Sequence, residues 1–100
     1  MVERLILLPE AVADASESYA WYESQEPGLG DEFLRCLEAC IVRIQRSPRL
    51  YPVAVETYRR ALLRRFPYAI FYEYDDRGVV IFAVFHCSQD PQKWRARTRR

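Results

Sequence analysis

The chain of 100 residues contains only three glycines, one histidine, one lysine (Lys93) and three cysteines. So little glycine in a sequence that is half apolar and 14% aromatic excludes collagen-like and low-complexity disordered states. Long hydrophobic runs are also missing. The longest, Val79 to Phe85, falls far short of the roughly 20 residues needed to cross a bilayer. Near the start, Pro9 and Glu10 cut short the apolar stretch Leu5 to Leu8, which leaves no core for a secretory signal. The expectation is a cytoplasmic chain with no membrane partner. An odd number of cysteines, with Cys36 and Cys40 one helical turn apart, makes no disulfide framework and suits a reducing compartment. A zinc site would normally need four ligands, and only His86 and Cys87 remain to complete one, so the cysteines read as small hydrophobes. No metal and no cofactor are expected. The composition that is present suits a single domain over residues 1–100, since a chain this long can bury about two-thirds of its unfolded surface in one core.

The net charge of +1 conceals a segregation. Residues 1–50 carry nine acids against five bases, and residues 51–100 carry five acids against ten bases. The bases of the second half fall into two clusters. Arg59, Arg60, Arg64 and Arg65 surround a strand-like segment, and Lys93, Arg95, Arg97, Arg99 and Arg100 crowd the C-terminus. Such a surface attracts phosphate or an acidic protein, although any one of these arginines is more simply a solvated charge.

Glu3 to Leu8 reads as a short strand, because Pro9 leaves too few residues for a helix. Pro9 suits the first turn of a helix in which Val12, Ala15, Tyr19 and Tyr22 form an apolar stripe. Pro27-Gly28 ends that helix near Glu26. A second helix follows, with Asp31 and Glu32 in its acidic first turn and Phe33, Leu37, Cys40, Ile41 and Ile44 on its apolar face as far as Arg46. The short connection predicts an antiparallel hairpin of helices. From Tyr51 the pattern becomes extended. Strands are predicted at Tyr58–Leu63, Tyr68–Tyr74 and Val79–His86, with Arg64 to Pro67 as a turn or bulge and Asp75-Asp76-Arg77-Gly78 as a hairpin turn. The last strand lacks alternation, which predicts a central position covered on both faces. Tyr68, Tyr72 and Tyr74 could stack bases, but read first as rings that cover the core. A short helix or tail follows Asp90-Pro91. The fold class is α+β with order β-α-α-β-β-β: two layers, the helical hairpin on one face of an antiparallel sheet and the arginines emerging on the opposite, concave face.

The run from Tyr19 to Phe33, with Trp21-Tyr22, Pro27-Gly28 and Leu29-Gly30, resembles the helical corner of the RelE/ParE superfamily of toxins. So do Ser47-Pro48, Arg59-Arg60, Phe66-Pro67-Tyr68 and the closing His86-Cys87-Ser88-Gln89-Asp90-Pro91 with Trp94 and Arg97, so the resemblance covers nearly the whole chain. It implies the toxin of a bacterial type II toxin–antitoxin pair, of the kind called plasmid stabilisation proteins. The implied partner is a cognate antitoxin protein that wraps and neutralises it, with a heterotetramer as one form of the complex. The superfamily has two modes of action. ParE-like members inhibit DNA gyrase, and RelE-like members are mRNA interferases that cleave messages on the ribosome without metal.

Such cleavage needs a base for the ribose 2′-OH, cations for the phosphorane and an acid for the leaving oxygen. For that chemistry the candidate catalytic residues are Glu56, Arg64 and His86. The lone histidine is as readily a structural hydrogen-bonding residue. Candidate contacts to target or phosphate are Arg59, Arg60, Arg64, Arg65, Trp94 and Arg97, the last two also serving in the resemblance as an anchor against the sheet. Gln89 stands where the family often has an arginine before the Asp-Pro pair, which leaves a third reading, a degenerate member that binds its antitoxin and poisons nothing. The lysine set of some RelE-like nucleases is absent, and the Trp21-Tyr22 and Gly28-Leu29-Gly30 corner is nearer to the ParE-like side.

Overall fold

The computed structural model describes residues 4–88 and Arg97. Its elements in chain order are β1 (Leu5–Leu7), α1 (Pro9–Gln25), α2 (Leu29–Arg46), β2 (Val53–Val55), β3 (Tyr58–Leu62), β4 (Tyr68–Asp75) and β5 (Gly78–His86). The strands form one sheet in the order β1-β5-β4-β3-β2. The predicted α+β order is present, with two additions. β2 is a short edge strand inside the segment read only as extended, and β1 pairs parallel to β5, so the sheet is mixed. Three residues with Pro52 before them are too few to show a strand period, and parallel pairing between chain-distant segments has no local signature.

Local chemistry explains the boundaries. Pro9 opens α1, where its missing N–H is not needed. Gly28, at φ 91°, takes the left-handed turn that α2 begins from. At the other end of the sheet, Gly78 (φ 140°) closes the β4–β5 hairpin, and a Cβ there would lie 2.3 Å from the Arg4 carbonyl. α2 buries Phe33, Leu37, Cys40 and Ile44, as its spacing predicts. In α1 the buried residues are Ala11 and Ser18, while Val12 of the expected stripe is exposed. Small side chains face the sheet where α1 crosses β5, which rotates the buried face away from Val12.

β5 lies between β1 and β4. Its register against β4 shifts: Phe71 is opposite Ala83 and Tyr72 opposite Ile81, leaving Phe82 as the extra residue of a bulge. Val79, Ile81 and Val84 therefore join the core under the helices, with Ala61, Ile70 and Tyr72. Phe82, Ala83 and Phe85 join Ala69 and Phe71 on the other face. That face thus carries a second apolar layer, and of the first arginine cluster the exposed Arg60, directly opposite Phe71, emerges beside it as expected, while Arg59, opposite Tyr72, is on the helix side. Tyr58 stacks on Phe82 there at 4.4 Å between ring centroids, and the Arg97 guanidinium lies 4.6 Å from the Phe85 ring centre. The expected C-terminal helix or tail lies outside the described residues, Arg97 excepted. Among the described residues no helix is long and apolar enough to cross a membrane.

Candidate functional site

The Trp21–Gly30 corner is built by one carboxylate. Glu23 accepts hydrogen bonds from the backbone N–H of Gly28 (3.0 Å) and of Gly30 (2.9 Å), which fixes the turn between the helices. Gly30 is required for the approach of the two helices, since a Cβ on it would meet the Tyr19 carbonyl at 2.8 Å. The carboxylates of Asp31 and Glu23 raise the pKa of the Tyr19 phenol at this crossing. Tyr22 turns inward and stacks on Phe33 at 5.4 Å, with Phe66 edge-on to it at 4.9 Å. Tyr68 packs on Phe33 at 5.0 Å. Burial and the adjoining Tyr68 hydroxyl raise the Tyr22 pKa. Trp21 stays at the rim, 57% exposed and edge-on to Tyr22 at 5.1 Å.

These rings form one wall of a cleft at the C-terminal end of β5. Tyr68 and His86 are directly opposite on β4 and β5, with ring centroids 5.1 Å apart. One lobe of about 500 Å³ is lined by Trp21, Tyr22, Tyr68, His86 and Ser88. A second of about 280 Å³ shares Trp21, Tyr68 and His86 and adds Asp14, Glu17 and Ser18. Nδ1 of His86 accepts the Ser88 backbone N–H at 3.0 Å and lies 2.7 Å from the Ser88 hydroxyl. A backbone amide can only donate, so Nδ1 carries the lone pair and the neutral ring holds its proton on Nε2.

Asp14, on the same side of α1, binds Arg97 with both oxygens (2.5 and 3.1 Å) and accepts the Val84 backbone N–H at 3.0 Å. Both side chains are largely buried, at 12% and 21% exposure. Arg97, a candidate for phosphate contact, is therefore engaged within the chain as an anchor. Trp94, Gln89 and the remaining C-terminal bases lie outside the described residues. Arg59 is also engaged: it donates to the carbonyls of Tyr51 (2.6 Å) and Arg49 (3.3 Å), fastening the loop after α2. Arg60 is exposed on β3. Arg64 and Arg65 are exposed in the β3–β4 loop, where Arg65 has φ 70° and approaches Glu32 at 3.7 Å.

The three candidate catalytic residues do not converge. Arg64 and His86 belong to the same end of the sheet, where the Cys87 N–H donates to the Pro67 carbonyl. Glu56 is in the β2–β3 turn (φ 51°), whose Thr57 hydroxyl reaches Glu73 at 2.7 Å. From Tyr68, opposite His86, to Glu73 is five strand residues, about 17 Å along the sheet, with two strand spacings to be crossed as well. The register keeps Glu56 and His86 from acting on one ribose-phosphate unit.

Residues 5–91 match the family model described as the ParE toxin of type II toxin-antitoxin systems, parDE. The chain belongs to the ParE toxin family. It is similar to a solved structure described as the chromosomal ParDE TA system from P. aeruginosa, with a TM-score of 0.62 and 16% identity over 82% of this chain and 92% of that one. At that identity the likeness concerns the fold. No curated protein matches the chain. As a ParE-family toxin, the chain is the toxin component of a toxin–antitoxin pair, and its cognate partner is an antitoxin.

Sequence reading of this toxin did not single out Asp14, Glu17 or Glu23, and named Ser88 only within the closing run. The i, i+3 and i+7 spacing of Asp14, Glu17 and Trp21 on α1 was a usable signal, because it puts two acids and an indole on one side of a helix. The contact of Ser88 with His86 had no signal, since only the turn after β5 makes it. The Cys40 thiol is pushed up in pKa by burial, Cys36 is half-buried and Cys87 is exposed. Among the described residues no three His, Cys, Asp or Glu side chains gather as a metal site.

Proposed function

We propose that this ParE-family toxin acts as a DNA gyrase inhibitor rather than as an mRNA interferase. The observation that supports this most is the dispersal of Glu56 and His86 to different ends of the sheet. Metal-free RNA cleavage by a carboxylate and a histidine needs both within hydrogen-bond reach of one ribose-phosphate unit, about 3 Å from the atoms that exchange protons. The engagement of Arg59 and Arg97 inside the fold removes two of the cations that a phosphorane would need. An inhibitor that works by binding needs no proton relay, which suits a toxin whose candidate base and acid lie apart.

The test is induced expression of the toxin without antitoxin, following DNA breakage and supercoiling together with message integrity. DNA breaks with intact messages are expected. Codon-phased cleavage of translated messages would overturn the reading in favour of the nuclease. Normal growth with both intact would overturn it too, and would leave a chain that binds its antitoxin and poisons nothing.

A further inference from the structure

We propose that the cleft between the second half of α1 and the ends of β4 and β5 receives an arginine or lysine side chain of the cognate antitoxin, seated on Trp21 and paired with Glu17. The inference rests on the toxin–antitoxin identity for its occupant and on the cleft itself for the chemistry.

Glu17 and Trp21 are one helical turn apart on α1, so carboxylate and indole lie side by side at the cleft mouth. Glu17 has no hydrogen-bond or ion-pair partner among the described residues, whereas Asp14 and Glu23 on the same helix are both engaged. Trp21 is held by an edge contact with Tyr22 and remains more than half exposed. The face of an indole attracts a cation through its quadrupole, and an adjoining carboxylate strengthens that attraction. Tyr68 and His86 line both lobes and offer ring surface along which the methylene stem of a long basic side chain can lie.

The chain already uses this chemistry one turn away. Asp14 binds the Arg97 guanidinium while the same guanidinium lies over Phe85 at 4.6 Å. Glu17 with Trp21 presents the same pair of groups outward. Other occupants fit less well. A phosphate or nucleotide would bring negative charge against Glu17, and an apolar side chain would desolvate that carboxylate without pairing it.

The test has two arms. In the first, the indole N–H signal of Trp21 is followed by NMR, assigned by its loss in Trp21→Phe, during titration with N-acetyl-arginine amide. The uncharged N-acetyl-citrulline amide and AMP are titrated in parallel. A saturable shift with the arginine probe, weakened several-fold in Glu17→Gln, is expected, and an equal or larger shift with citrulline amide or AMP would overturn the proposal. In the second, the toxin is titrated with the antitoxin encoded beside it. Glu17→Gln and Trp21→Leu should each weaken the complex about tenfold while the melting temperature of the free toxin is kept. Affinities within twofold of the unsubstituted toxin would overturn the antitoxin as occupant. If the unsubstituted toxin failed to bind the antitoxin at all, the partner assignment would fall, and the probe titration would still decide the chemistry of the cleft.

Discussion

Among the described residues Tyr72 is the largest fully buried side chain. Its ring is fully buried, and its hydroxyl donates to the Pro48 carbonyl at 2.6 Å, tying the end of α2 to the centre of the sheet. Burial pushes its pKa up to about 12, against the opposing pull of the Arg59 guanidinium. The folded state therefore holds the proton more tightly than the unfolded chain, whose tyrosine titrates near 10. The stability that Tyr72 contributes should be fully present below about pH 10 and be lost as the pH rises toward 12. Tyr22, also raised by burial, adds to the same trend. Urea unfolding of Tyr72→Phe at pH 7 should show a loss of about 1–2 kcal/mol, because the Pro48 carbonyl is left without this donor. Repeating the measurement near pH 11 should show a smaller difference, and an unchanged one would refute the buried titration.

At the scale of elements, the Asp14–Arg97 pair joins α1 to the far end of the chain, and Asp14 also satisfies the N–H of Val84 on β5. With both side chains mostly buried, the pair is charge-assisted, and removal of one member strands the other. Asp14→Ala should cost about 3 kcal/mol, since it deprives both Arg97 and the β5 amide. A double-mutant cycle with Arg97→Ala should give a coupling of about 2 kcal/mol. A coupling near zero would mean that Arg97 is held by the Phe85 ring alone. The β5 bulge belongs to this scale as well. The unbroken apolar run Val79 to Phe85 was legible as a strand covered on both faces, yet the residue that changes face could not be read from it. The extra position at Phe82 exists only relative to the register of β4.

For the whole molecule, the separation of Glu56 from His86 bears directly on toxicity. Glu56→Gln should leave growth arrest on induced expression unchanged within about twofold, because the register holds this carboxylate too far from His86 for the two to share a proton-transfer step. Abolition of arrest by this substitution, with the fold retained by circular dichroism, would restore the nuclease.

The sequence by itself determined the elements whose cause is local. Pro9, Pro27-Gly28 and Asp75-Asp76-Arg77-Gly78 mark ends and turns through backbone preferences that act within a few residues. The α2 stripe Phe33, Leu37, Cys40 and Ile44 follows from the helical period alone. The family pattern was legible for the same reason, since its corner residues lie close together in the chain. Tertiary structure decided what depends on distant partners: the parallel pairing of β1 with β5, the face of α1 that is buried, the layer of phenylalanines opposite the helices and the engagement of Arg97 by Asp14. It also decided which candidate residues can meet. Glu56 and His86 were each plausible by chemistry, but strand register, fixed by pairing across the sheet, set the distance between them.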